Sequence, residues 1–331
     1  MNANSTVLGL DIGGANIKAA TAAGRAVSVA FPLWKQPDAL PAALAALATQ
    51  FPGIDELAVT MTVELCDCYA TKREGVNRIL DAVELAAAGR PVRVWGTAGN
   101  WLSVTEARVQ TLAVAASNWH ALATFAGRFA PTGAGLLIDI GSTTTDLIPL
   151  EHGIPFGKGS TDFDRLQSGE LVYIGVKRTP IMALGMPNSC AEYFADIRDV
   201  HIVLGQTPED PNATDTADGR PATFLDSLDR LARMLGADRE TASVDRIVEF
   251  AIRCYQRQRA ILVEGLRCLD SSGIRTLIVS GAGEWLARDV WKAAYPELNP
   301  PTVSLSEELG PDISACAPAY AVAVLASESP R

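Results

Sequence analysis

"LGLDIGGANIKAA" (8–20) and "LLIDIGSTTTDLI" (136–148) are two versions of one pattern in the same chain. Each is an apolar run closed by Asp-Ile-Gly, then small or hydroxyl-bearing residues, then a second apolar stretch. A buried strand ending in Asp-x-Gly sets a carboxylate at the mouth of a sheet. Its glycine permits a tight turn whose N–H groups point outward. In the first copy Gly13 and Gly14 let a ligand approach the backbone, Asn16 offers an amide and Lys18 a point charge. In the second, Gly141 turns the chain and Ser142, Thr143 and Thr144 add hydroxyl donors, with Asp146 either a ligand-side residue or a bracket for the loop. Both loops suit phosphate oxygens. Asp11 and Asp139 are then expected to face a Mg2+ ion, directly or through water, because that ion keeps several waters and uses few carboxylates. A third glycine turn, "VSGAGEWLA" (279–287), ends a late strand and opens a helix. Its Gly281, Gly283 and Glu284 mark a helix N-terminus, a further anion or ligand site.

Composition limits the alternatives. A chain of 331 residues, 48% hydrophobic and 20% charged, has room for about two globular domains. A net charge of −10 argues against nucleic acid or an anionic membrane as partner, since nothing basic enough is present to neutralise a phosphate backbone. The opening "MNANSTV" shows no basic stretch followed by an apolar one, so no signal peptide is expected. No apolar run reaches the roughly 18 residues that cross a bilayer. Six scattered cysteines fit reduced, mostly buried thiols in a cytoplasm better than a disulfide framework. Cys66 and Cys68 lack the second close pair a structural metal site needs.

The remaining pattern alternates strands and helices. "VLGLD", "AVSVAFPL", "LAVTMTV" and "VRVWG" read as strands. "DALPAALAALATQF" is an expected helix with Asp38 as N-cap and Pro41 in its first turn, and "EGVNRILDAVELAAAG" a second, ended by Gly89. Residues 106–129 read as one long helix leading into the second Asp-Ile-Gly, after which "TDLIPL" is the partner strand of a hairpin. Residues 151–184 are glycine-rich and polar, an ordered loop or lid, and 205–223 an acidic surface excursion. Helices are expected over 224–236 and 244–270, then a strand "RTLIVSGAG", a helix from Glu284, a short strand "TVSL" and an alanine-rich terminal helix.

Two phosphate-type turns and a glycine turn in this order resemble the actin-like ATPase superfamily. That resemblance implies an α/β protein of two actin-like (ribonuclease H-like) domains facing each other across a cleft. The first would cover 1–130 and the second 131–331, including the turn at 279–284, with the terminal helix a candidate to return to the first domain. The twin turns become two jaws on one phosphorylated ligand. A closer resemblance runs through "MTVELCDCYATKREGV" (61–76), "SGELVYIGVKRTP" (168–180), "TADGRPAT" (216–223) and "LARMLGAD" (231–238). These stretches are similar to the hydantoinase/oxoprolinase-related proteins of tetrahydromethanopterin-linked one-carbon metabolism. The resemblance implies a transferase of methanofuran biosynthesis. Such an enzyme joins an aminomethylfuran-methyl diphosphate to the phenol of γ-glutamyltyramine, forming an aryl ether and releasing diphosphate.

Under that reading the loops and Mg2+ hold diphosphate, and Lys18 meets a terminal phosphate oxygen. A base for the phenol comes from Asp139, Asp146 or Glu64; Asp139 is favoured because it ends the second core strand. Glu64, Lys72 and Arg73 follow the strand "LAVTMTV", where strand ends often meet ligand; a surface salt-bridge cluster is the plain alternative. Glu170 and Arg178 in the polar segment either bind the glutamyl carboxylates or keep a loop soluble. Asn100 and Trp101 either line the acceptor pocket or pack between domains. His120, His152 and His201 lack ligand spacing and read as structural. The rivals are an ATP-dependent kinase or amidohydrolase using the same loops, and a ligand sensor that keeps the fold. Both aspartates and Lys18 speak against the sensor. The sequence leaves the oligomeric state open, a homodimer among the options.

Overall fold

A computed structural model describes residues 6–269 and 273–330; the start of "MNANSTV" and the expected helix end at Asp270 lie outside the described residues. The strands in chain order are β1 (Val7–Ile12), β2 (Asn16–Thr21), β3 (Ala26–Ala30), β4 (Glu56–Met61), β5 (Val92–Trp95), β6 (Trp101–Ser103), β7 (Ala134–Ile140), β8 (Thr145–Glu151), β9 (Ile154–Pro155), β10 (Leu171–Val172), β11 (Thr276–Ser280) and β12 (Thr302–Ser304). They form two sheets, β3-β2-β1-β4-β5-β6 and β10-β8-β7-β11-β12, with β9 also on β8. In each sheet the Asp-x-Gly strand pairs antiparallel with the strand after its turn and parallel with the next crossover strand. A further parallel strand follows on that side of both sheets. The repeated sequence is thus a repeated sheet, with β7, β8, β11 and β12 taking the places of β1, β2, β4 and β5.

β1 is buried along its whole length because helices cover both faces. On one face Leu8, Leu10 and Ile12 pack with Leu44 of the helix Leu40–Thr49 and with Ile79 and Val83 of the helix Lys72–Ala87. On the other face lies the C-terminal helix Ala317–Glu328, whose Val322 and Ala326 meet Val7 and Ala58. Gly9 makes that contact possible, since a Cβ there would sit 1.9 Å from the Ala319 carbonyl oxygen. The helix Asn118–Ala126 packs beside it and turns Trp119, Leu122 and Ala126 toward Leu137, Ile148 and Leu150 of the second sheet. Two small-residue helices therefore fill the space between the sheets. The other face of the second sheet packs Leu136, Ile138 and Ile140 against Phe250, Cys254 and Leu262 of the helix Val244–Arg267.

Two local expectations need correction. The helix expected over 106–129 is three short ones, Val104–Val109, Thr111–Val114 and Asn118–Ala126. Its ladder breaks because the Ala113 carbonyl accepts from the Thr97 N–H (2.8 Å) and Ala116 takes a left-handed φ of 49°. Asp38 caps nothing: it lies in a tight turn at Pro37–Ala39, and Ala39 precedes the helix, although Pro41 is in its first turn as expected. The segment 151–184 is ordered, the first of its two expected readings, with Arg165, Glu170, Leu171 and Ile181 buried in it. The acidic excursion lies at the surface as expected and is anchored there. Asp218 pairs with Arg220, Arg230 and Arg233, and the Arg230 guanidinium also reaches Asp199 at 2.7 Å. Among the described residues no helix is long and apolar enough to cross a membrane.

Candidate functional site

Both Asp-x-Gly strands end at one cleft of about 1210 Å³. The two turns close identically: the Gly13 N–H donates to the Asn16 carbonyl (3.1 Å), and the Gly141 N–H to the Thr144 carbonyl (2.9 Å). For the N–H groups of Gly14, Ala15, Ser142 and Thr143, all lining the cleft, no acceptor is found among the described residues. Outward N–H groups on two facing turns make an anion nest. The register then separates the jaws. Asp11 stands opposite Lys18 in the first hairpin, whereas Asp139 stands opposite Asp146 in the second.

The electrostatics follow from that difference. Asp11 is 5% exposed, and its Oδ1 has no hydrogen-bond partner. Burial pushes its carboxyl up, against the pull of Lys18. Asp139 faces the cleft but is otherwise enclosed. Burial first, then Asp146 and Glu284, push it up to about 7, while Ser280 and Lys18 act the other way. Lys18 makes no ion pair among the described residues and sits in the field of both aspartates. A cation that acts on two carboxylates and pairs with neither is a site short of positive charge, not a finished salt bridge.

Asp146 is answered from outside its hairpin. Arg165, 1% exposed, reaches its Oδ1 at 2.8 Å and sits over the Trp119 ring, its Cζ 4.0 Å from the centroid. The second loop is clamped by "GVKRT" (175–179): the Lys177 and Arg178 N–H groups donate to the Ser142 carbonyl at 3.0 and 2.8 Å. The Arg178 side chain donates to the Thr143 hydroxyl at 2.9 Å, which fixes a half-buried guanidinium on the cleft wall. Gly281 closes the floor with φ +84°; a Cβ there would lie 2.3 Å from the Ile140 carbonyl oxygen and 2.6 Å from Asp139 Oδ1. From that turn the helix Glu284–Ala294 points its N-terminus at the cleft. The Glu284 carboxylate itself is held by the Ser306 N–H (2.9 Å) and the Ser304 and Ser306 hydroxyls.

At the other end Glu64 is 1% exposed and meets Lys72 Nζ at 3.8 Å, with its second oxygen unpartnered. Burial raises its carboxyl, against its own and the Ala116 backbone N–H and Lys72. Asp162, also raised by burial, sits in the field of Lys72 and Arg165.

Most expected site residues therefore meet at one cleft: Asp11, Gly13, Gly14, Asn16, Lys18, Glu64, Lys72, Asp139, the 141–144 loop, Asp146, Arg178, Gly281 and Glu284 all line it. Five do not. Arg73 is exposed on the helix Lys72–Ala87, and Gly283 packs on Ile140. Glu170 is consumed as a latch, accepting from the Lys158 and Gly159 N–H groups (2.6 and 2.9 Å) and the Ser168 hydroxyl (2.9 Å). Asn100 and Trp101 lie at the turn into the edge strand β6, where Trp101 packs edge-on to Trp95 at 4.8 Å. Sequence reasoning missed Asp162, Arg165, Trp119 and Tyr173, all on the cleft. Only the helix start "TDFD", with Thr161 capping Asp164, signalled an ordered element there. Burial holds His120 and His201 down at about 4, so both are neutral near pH 7.

Two sheets of one strand order, each delivering an Asp-x-Gly turn to a shared cleft, define an actin-like α/β protein. The chain belongs to the hydantoinase/oxoprolinase family, whose model matches residues 55–329. A relative from Methanocaldococcus jannaschii, named (4-{4-[2-(gamma-L-glutamylamino)ethyl]phenoxymethyl}furan-2-yl)methanamine synthase, is 37% identical over 331 aligned residues, covering 96% of this chain and 97% of the relative. A protein of the same name from Methanococcus vannielii is 31% identical over 57% of this chain and 89% of its own. Among solved structures, the PilM–PilN type IV pilus biogenesis complex superposes with a TM-score of 0.50 at 14% identity, covering 99% of this chain and 100% of that one. That likeness speaks to fold alone.

Proposed function

We propose that the protein is a transferase of methanofuran biosynthesis that makes the aryl ether named in its relatives. The observation that carries the reading is identity of 37% to such a synthase along nearly the whole of both chains. It favours ether formation over an ATP-using kinase or amidohydrolase. The product name contains a phenoxymethyl-furan unit, and cutting its ether bond leaves a phenol and an activated furylmethyl group. The activated partner is read as the aminomethylfuran-methyl diphosphate, and the acceptor as a 4-(2-aminoethyl)phenol with or without its γ-glutamyl group.

The cleft suits that chemistry. The free N–H groups of both turns, Lys18 and Arg178 grip the diphosphate from two sides and hold its ester carbon still. The furan ring delocalises positive charge at the departing carbon, so the main demand on the protein is to stabilise charge on the leaving group. Lys18 and the N-terminus of the helix Glu284–Ala294 meet that charge. The residues fit Mg2+: Asp11 has an orphaned buried oxygen, and Asp139 lines the same cleft. Asp11 and Asp139 would hold the ion, which when bound neutralises diphosphate oxygens. The six cysteines are free thiols, which supports a reducing cytoplasmic setting.

The test is diphosphate release by purified protein with Mg2+, the furylmethyl diphosphate and 4-(2-aminoethyl)phenol or its γ-glutamyl amide, with ATP hydrolysis followed in parallel and Asp139→Asn as control. Release that needs the phenol and is lost in the variant is the expected result. ATP turnover without diphosphate release from the furan donor sinks the reading.

A further inference from the structure

The cleft has two ends of opposite character. The diphosphate end is polar, built from Lys18, the two turns and Gly281. The far end carries large apolar side chains left open to solvent: Phe163 is 71% exposed, Tyr173 64%, Leu65 63% and Leu166 44%. A soluble protein seldom gathers such side chains at one mouth without a ligand to cover them. Glu64, 1% exposed, lines the same cleft, with Oε2 lacking any partner. The groups facing it are Lys72, Asp162 and Tyr173, with the Ala116 N–H behind. None of the residues assigned to diphosphate or Mg2+ is among the groups acting on Glu64, and Arg178 acts on Tyr173 from the diphosphate side.

We infer that this end is the acceptor subsite, in which an aromatic ring lies among Leu65, Phe163, Leu166 and Tyr173 and its hydroxyl gives its proton to Glu64. The assignment rests on the transferase reading and moves the base from Asp139, which the ion and diphosphate occupy, to a carboxylate on the acceptor's side. The step balances. The Glu64 carboxylate takes the phenolic proton as the phenol oxygen bonds to the furylmethyl carbon. The carbon–oxygen ester bond breaks with its electron pair going to diphosphate, and Glu64 later returns the proton to water. A phenol of pKa about 10 needs such a base near neutral pH. The burial that raises Glu64 brings its basicity closer to that of the phenol.

Two variants and two acceptors test this. Glu64→Gln should lower kcat with 4-(2-aminoethyl)phenol by about 100-fold or more. With the ring-nitrated analogue, already ionised at pH 8, it should stay within about threefold of the parent protein, because no proton remains to be removed. Equal losses with both phenols overturn the role of Glu64. Phe163→Ala, at an exposed position, should raise the acceptor KM about tenfold and leave the donor KM unchanged; an unchanged acceptor KM overturns the subsite. If the unmutated protein releases no diphosphate with either phenol, the transferase reading has failed. Calorimetry of 4-(2-aminoethyl)phenol binding then decides the subsite separately. Binding weakened by Phe163→Ala sustains it, and absent or unaltered binding ends it.

Discussion

The two hairpins share their backbone and differ in their charge. β1–β2 and β7–β8 turn through the same glycine-to-third-residue hydrogen bond, and each carries aspartate one residue before the end of its first strand. Where the first sets Lys18 opposite Asp11, the second sets Asp146 opposite Asp139. A duplicated fold could have gripped its ligand symmetrically. Instead one jaw carries its own cation, while the other takes Arg165 and Arg178 from the segment that follows it. Under the proposed function that asymmetry would give a polarity to the cleft, with cations on both sides of a diphosphate and separate places for the ion and the acceptor.

The largest effect is expected from stripping the second jaw of its recruited cation. Arg165→Leu leaves Asp146 buried and unpaired and removes the cap on Trp119, which should cost about 3–5 kcal/mol of stability in denaturant titration. Adding Asp146→Asn should recover much of that loss; failure to do so would mean that Arg165 matters through packing and not through the pair. Next comes the first jaw. Lys18→Met removes the cation shared by both aspartates and should lower the rate of diphosphate release by about 10²–10³ with little change in melting temperature. Equal activity would show that Arg178 alone carries the leaving group and that the first jaw is scaffold.

The features legible in sequence are those whose cause is local. An apolar run closed by a glycine turn favours a strand and then a turn, and Asp11, Asp139 and Gly281 do lie within one residue of strand ends. Their convergence on one cleft was expected from the resemblance to actin-like proteins that their order suggests. The partner of Asp146 was not legible. Arg165 lies in a polar stretch whose local pattern suggests a loop, and its value comes from contacts with Asp146 and Trp119, which are remote in sequence. Glu170 misled for the converse reason: its charge suggested a ligand contact, but nearby N–H groups consume it. Asn100 and Trp101 follow a strand, as ligand-binding residues often do, yet the chain there folds back into the edge strand β6, far along the sheet from β1. The broken helix over 106–129 depended on a tertiary bond from Thr97 that no periodicity records.

A smaller effect reads the asymmetry through pH. Asp139 is raised to about 7 in the folded protein, above its ordinary value of 3.8. Between those values the folded state holds a proton that the unfolded state has lost, so ionising Asp139 works against folding as pH rises. Asp139→Asn removes that burden. At pH 8 the variant should be more stable than the parent by about 1 kcal/mol or more, and the gain should vanish below pH 4, where both forms are neutral. Adding Mg2+ should raise the melting temperature of the parent and not of the variant, if the ion binds where proposed. A variant less stable at pH 8 would mean that Lys18 already satisfies Asp139, and the charge deficit between the jaws would be fictitious.

The smallest effect bounds the site. Arg73 and Lys72 are neighbours in sequence, but Lys72 turns into the cleft beside Glu64 whereas Arg73 faces solvent on the same helix. Arg73→Ala should leave stability within about 0.5 kcal/mol and diphosphate release within about twofold. Lys72→Ala should disturb acceptor kinetics, because it removes the cation facing both Glu64 and Asp162. If the two substitutions act alike, the cationic influence at the acceptor end is diffuse. If only Lys72→Ala acts, that end is as sharply defined by side-chain direction as the diphosphate end is by its turns.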